Sequence, residues 1–296
     1  MSKRFFTQAL ATHMLAAQVL SLSLILCISP LIAVGPTIQE NNPTIPKDYA
    51  QIKCTITPID RNSHHRTHPR IPLGGKSELL GYSTNWSGYV AETNLTNPAT
   101  NSVTAVSASW IVPTIKPSTG KTYCAIWVGI DGYSNSTVEQ IGTEHDWSSG
   151  TVQHYAWFEM YPGGSYSING FPLNSGDVIS ASVAYSSKNV FTMCLSNQTQ
   201  KVATTIPTQY TTSTTAKRQS AEWIIEAPYM NSILPLANFG TVYMANCKAT
   251  IKGISGLINN TAWANSPIEM ITNSGAPKDI PSIVGSGSFS ATWQHQ

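Results

Sequence analysis

From Tyr82 onward the chain is a succession of short stretches in which apolar and polar residues alternate, each closed by Gly, Pro, Asn or Ser. A period of two belongs to strands that bury one face, and no stretch holds a helical period long enough for an amphipathic helix. The clearest runs are 85–91, 103–112, 125–131, 154–161, 178–185, 190–195, 220–226 and 289–293. Many short strands at regular spacing predict an all-β sandwich or barrel.

The alternation also assigns faces. Within 126–131, Ile126, Val128 and Ile130 form an apolar face, and Trp127, Gly129 and Asp131 the other. In 157–161, Phe158 and Met160 point inward while Trp157, Glu159 and Tyr161 share the opposite side. In 221–226, Glu222 and Glu226 project together with Ile224. Three strands thus each carry a carboxylate opposite a core face, among tryptophans and a tyrosine. That composition suits either a cleft on one side of a sheet or an ordinary wet face.

Three segments are expected. Residues 1–34 begin with Lys3 and Arg4, lack acidic residues and carry an apolar stretch from Val19 to Val34, which reads as a secretory signal. Its cleavage point is open, because Ala33-Val34-Gly35 is followed by Pro36; a retained membrane anchor is the alternative. Residues 35–80, with the run Arg61-Asn-Ser-His-His-Arg-Thr-His-Pro-Arg70, read as a linker or propeptide without its own core. Residues 81–296 form one domain. The expectation is an extracellular protein with no stable membrane association after signal removal, and a monomer.

Formal net charge is +2, and residues 81–296 hold 9 basic against 11 acidic side chains. No Lys/Arg stripe exists to neutralise phosphates, so nucleic acid is not the expected partner. Charged residues are only 11% of the chain, where a soluble domain usually has about a quarter. Ser, Thr and Asn replace them, which suits survival at low pH, where carboxylates lose native pairings. Cys54, Cys124, Cys194 and Cys247 lie beyond the leader and in an oxidising compartment permit three pairings, among which the sequence does not choose. No Cys/His spacing suggests a metal, and no cofactor is implied.

The sequence lacks HExxH, GxSxG and Asp-Thr/Ser-Gly, so zinc, serine-elbow and paired-aspartate chemistry have no motif. His145, His154 and His295 are the histidines of the domain, and nothing marks a Ser/His/Asp triad among them. Carboxylate and amide chemistry remains: a glycosidase with two carboxylates, or a hydrolase in which a carboxylate activates water and an amide N–H meets the oxyanion.

Five stretches, in this order, resemble the glutamic peptidases, or eqolisins: Trp127-Val-Gly-Ile-Asp-Gly132, Glu139-Gln-Ile-Gly142, Tyr155-Ala-Trp-Phe-Glu-Met-Tyr-Pro162, Asn174-Ser-Gly-Asp-Val178 and Ser220-Ala-Glu-Trp-Ile-Ile-Glu226. The likeness extends from Asn85-Trp86-Ser87-Gly88 to Phe289-Ser-Ala-Thr-Trp293. It implies a lectin-like sandwich of two antiparallel sheets with a concave substrate groove, an acid endopeptidase acting on proteins or peptides, and no metal or cofactor. It further implies a catalytic pair of Gln140 and Glu222, with Trp127, Asp131 and Glu159 lining and supporting the site. Trp86, Trp157, Tyr161 and Glu226 join them as expected groove or supporting residues. Two positions depart from the family pattern: Met160, where Trp is frequent, and Ile141, where Thr often follows the glutamine. The competing reading is a silent carbohydrate- or peptide-binding module on the same fold.

Overall fold

The computed structural model describes residues 45–59, 63–64, 81–206 and 215–296. The expected signal at 1–34 and most of the 61–70 basic run lie outside the described residues. Among those described there is no helix, and the strands form two facing layers. The site layer runs in the order Thr55–Pro58, Ser165–Asn169, Thr151–Tyr161, Val138–Ser148, Ala125–Ile130, Ser220–Glu226, Trp86–Glu92 and Ala264–Ile271, all antiparallel. The back layer runs Val202–Ile206, Val190–Asn197, Val178–Ser187, Val103–Ile111, Thr241–Ile251 and Phe289–Trp293. Pro277–Pro281 bonds both Ala264–Ile271 and Phe289–Trp293 and so stitches the layers into one continuous sheet at that edge. Two short strands pair in parallel: Gly81–Ser83 with Ala264–Ile271, and Ala50–Gln51 with Val202–Ile206.

Alternation explains the core. Ile126, Val128, Ile130, Phe158, Met160 and Trp223 from the site layer meet Val106, Trp110, Ile179, Val183 and Leu195 from the back layer. Each such side chain contributes about 1.5–3 kcal/mol by leaving water. Met160 faces this core, as its place in the run predicts. The four cysteines are free thiols, three buried and Cys54 half-buried, and they act as small apolar fillers.

All eight predicted runs are strands, with ends shifted by up to a few residues. The strand Val138–Ser148 was not among them, although it carries Gln140. One of its faces presents Gln140, Gly142 and Glu144 and the other Glu139, Ile141, Thr143 and His145, so it shows no apolar alternation. Thr241–Ile251 escaped for another reason: its pairing skips between Ala245 and Lys248, which resets the period.

Among the described residues the buried side chains include nine carboxyl groups, those of Glu92, Asp131, Glu139, Glu144, Glu159, Asp177, Glu222, Glu226 and Asp279, but only two cations, Arg218 and Lys278. Pairing therefore cannot be the rule. Burial holds Glu139, Glu144 and Glu222 well above the usual carboxyl range and lifts Asp279 to about 7. Asp177 is the exception, since the amides of Asn197, Asn174 and Gln200 outweigh its burial and pull it down. A carboxyl that stays protonated in the fold while its unfolded counterpart ionises loses stability as pH rises from the ordinary value toward the raised one. Buried His145 and His154 act in the opposite sense, being held below their ordinary value, but they are fewer. Thermal denaturation should therefore show the melting temperature falling between about pH 4.5 and 7. Asp279→Asn should flatten that fall, raising the melting temperature at pH 7 and leaving it unchanged near pH 4.

Candidate active site

The register places the expected residues in three adjacent rows across one face of the site layer. The first row reads Val90, Glu222, Gly129, Gln140, Glu159 and Ser165. The second reads Gly88, Ile224, Trp127, Gly142 and Trp157, and the third Trp86, Glu226, Ala125, Glu144 and Tyr155. Residues opposite each other on a ladder project to the same side. Gln140 and Glu222, 82 residues apart in sequence, thus flank the same Gly129, about 10 Å apart at two strand spacings.

Glycine makes the slot between them. A Cβ on Gly129 would stand 2.8 Å from Cζ3 of Trp127 and 3.2 Å from Cβ of Gln140, so the Trp127 ring edge closes over a narrow slot floored by bare backbone. Gly142 is equally constrained in the next row, where a Cβ would meet the Ile126 carbonyl oxygen at 2.2 Å and force apart Ala125–Ile130 and Val138–Ser148. The tryptophans form the floor: Trp86, Trp127 and Trp157 are fully buried in a second apolar cluster with Val90, Val138 and Ile224. Trp86 meets Trp127 edge to face, with ring centroids 4.8 Å apart.

Each polar member is held differently. The Gln140 side-chain amide donates from Nε2 to Oε2 of Glu159 at 3.0 Å, which fixes the direction of the amide and leaves its second N–H for another acceptor. Glu222 is 0% exposed; burial raises its carboxyl well above the usual range, and the Ser220 hydroxyl two residues back offsets only part of this. Glu226 accepts Nε1–H of Trp127 at 2.8 Å through Oε2 and Nδ2–H of Asn85 at 3.2 Å through Oε1. It thereby locks the indole that borders the slot. Asp131 does not point into the slot. At a φ of +71° it accepts the backbone N–H groups of Arg218 (2.6 Å) and Gln219 (2.8 Å), the Asn135 amide (2.7 Å) and the Thr137 hydroxyl (3.3 Å). It ties the turn before the Gln140 strand to the turn before the Glu222 strand. Tyr161 packs half-buried at the edge of the tryptophan cluster.

Sequence reasoning missed three contributors. Glu144 stands four residues along from Gln140 on the same face, raised by burial and then by the charge of Asp146. Asn85 and Gly129 complete the list. Recognising Val138–Ser148 as a strand would have revealed Glu144 by its spacing. His145 and His154 lie on the opposite, core-facing side. They bond through their Nδ1 atoms at 2.9 Å, and Nε2 of His154 contacts the Ser175 hydroxyl at 3.0 Å. That hydroxyl donates to the Pro113 carbonyl, so His154 serves it as donor rather than as base.

Residues 84–286 match the model of the Peptidase A4 family. The chain belongs to that family. Its members are the glutamic peptidases, hydrolases of peptide bonds whose substrates are proteins and peptides. Aspergillopepsin-2 of Aspergillus niger is 28% identical over 218 residues, covering 64% of this chain and 74% of that protein. Scytalidopepsin B of Scytalidium lignicola is 33% identical over 160 residues, covering 51% and 60%. Among solved structures, scytalido-glutamic peptidase with a transition state analog inhibitor superposes with a TM-score of 0.60 at 24% identity, over 71% of this chain and 98% of that one. Aspergilloglutamic peptidase from Aspergillus niger gives 0.53 at 24% identity, over 58% and 99%. These are likenesses of fold, and they agree with the two-layer sandwich.

Replacing Gly129 by Ala should push the Trp127 ring out of its place beside Gln140 while leaving the strands paired, because the nearest obstruction is a ring edge rather than backbone. Peptidase assays on the purified variant should show at least about a tenfold loss in kcat, by the sensitivity of catalysis to misplacement. Its melting temperature should stay within a few degrees of the parent.

Proposed function

We propose that this glutamic peptidase is a secreted acid endopeptidase in which Glu222 activates water and the Gln140 amide stabilises the oxyanion. The observation that carries the reading is the shared row: an amide with a directed, spare N–H and a desolvated carboxyl face one another across a glycine. A scissile carbonyl seated over Gly129 would meet the Gln140 N–H on one side and a water held by Glu222 on the other. Glu222 takes the proton of that water as its oxygen attacks the carbonyl carbon, and passes it to the leaving amine as the C–N bond breaks. The Gln140 N–H meets the charge that develops on the carbonyl oxygen. Glu159 and Glu226 are positioning residues, acting through Gln140 and Trp127.

A glycosidase pair fits less well. Glu159 and Glu222 are three strand spacings apart, about 14 Å along the backbone row, whereas paired glycosidase carboxyls stand about 5–9.5 Å apart. Gln140 also lies between them.

We propose that the leader 1–34 is an export signal and that 35–80 is a linker or propeptide. Within the latter, Thr55–Pro58 adds a strand to Ser165–Asn169, and the Ile59 N–H donates to the Ser165 carbonyl at 2.9 Å. Ile59 packs against the tryptophan cluster. Glu222 itself is fully buried, which favours its protonated form. General-base action requires water to reach Glu222, which would lower its pKa toward the ordinary value and give the carboxylate a general base must be.

The test is cleavage of a denatured protein from pH 2 to 8 by the secreted enzyme. Activity should appear only on the acid side. Glu222→Gln should reduce kcat by about 10²–10⁴-fold and Gln140→Ala by about 10²–10³-fold, both in folded protein. Full activity in either variant would remove that residue from the mechanism.

A further inference from the structure

Away from the three rows, a second cavity of about 430 Å³ is lined by Thr84, Thr272, Asn273 and Lys278 on its polar side and by Ile233, Leu234 and Ile271 on its apolar side. Lys278 is out of register. Met270 pairs with Asp279 and Ile271 with Pro277, so Lys278 is the extra residue of a β-bulge. Bulges re-aim a side chain that regular pairing would leave on the sheet face. The bulge is pinned from behind, because the Lys278 carbonyl accepts the backbone N–H of Gln294 at 2.8 Å.

The lysine is only 7% exposed. Among the described residues no carboxylate forms an ion pair with its ammonium, and burial alone pulls its pKa below the ordinary lysine value. A desolvated cation without a counter-ion is unfavourable unless the site exists to receive an anion. The adjacent carboxyl of Asp279 does not fill that role, since alternation turns it to the interior beside Ser87. Two hydroxyls and an amide supply further donors, and the aliphatic wall calls for an aliphatic group next to the charge.

We propose that the Lys278 cavity is a binding site for an aliphatic carboxylate, of the kind found at the C-terminal end of a peptide. Such a group is ionised above about pH 4, and its charge beside Lys278 favours the protonated lysine. The cavity is separate from the Gln140–Glu222 slot, and binding there requires no turnover.

The probe is N-acetyl-Leu-Ile free acid compared with the same dipeptide as its C-terminal amide, titrated at pH 5.5 by calorimetry into full-length protein bearing Glu222→Gln, so that peptidase activity plays no part. The acid should bind saturably and the amide at least about tenfold more weakly, as loss of one charge-assisted contact implies. Adding Lys278→Met should abolish the difference, and Lys278→Arg should restore it. Equal affinity for acid and amide, no binding of either, or acid binding unchanged in Lys278→Met would overturn the proposal. Melting temperatures of the variants identify any that fail to fold, and Lys278→Arg then decides.

Discussion

The fold answers to one constraint: among the described residues nine carboxyl groups are buried against two buried cations. Since charges cannot be neutralised by pairing, the fold depends on protons and hydrogen-bond donors. Amides pull Asp177 down, whereas Asp131, despite four donors, and Glu139, Glu144, Glu222 and Asp279 are held up toward the protonated form by burial. The Arg218 guanidinium, the nearest buried cation to Glu139, is committed elsewhere: it bonds Asn101 and the Val103 carbonyl and stacks over Tyr185 at 3.7 Å. A protein built this way is at home in acid. The surface, with hydroxyls and amides in place of ions, follows the same logic.

The sheet turns that constraint into a site. Ladder pairing brings distant residues to one face with a spacing that the backbone sets, and glycine decides where the face is open. Gly129 separates Gln140 from Glu222; Gly142 separates Trp127 from Trp157. Supporting contacts run outward from those openings: Glu159 fixes the Gln140 amide, and Glu226, itself held by Asn85, fixes Trp127. The loops at the ends of the two active strands are joined by Asp131. Rigid strands carry the working groups, and a single carboxylate sets the relation between the strands' starting points.

Much of this was legible in the amino-acid order, and the exceptions have physical reasons. Strands with one apolar face announced themselves, and Trp127, Glu159 and Glu222 were placed on the correct side of theirs. Val138–Ser148 was silent because polar residues occupy both its faces: Glu139 and His145 enter the interior where leucine-like residues would have given the period away. Gln140 was therefore found by motif resemblance and not by pattern. Asp131 was expected to line and support the site, and the bonds by which it braces two loops depend on its left-handed backbone conformation and on which N–H groups lie within reach. Pairings such as Glu226 with Trp127 join residues 99 apart and become visible only once register is known.

Burial makes Glu222 a desolvated carboxyl whose pKa lies well above the usual carboxyl range. The most direct measurement is a carbon-13 NMR titration of side-chain carboxyls in the full-length protein, with the Glu222 resonance assigned by its absence in Glu222→Gln. The account predicts a midpoint well above the ordinary glutamate value of about 4.5. A midpoint at or below that value would mean that the carboxyl is solvated or paired, and would contradict the claim that burial tunes this site.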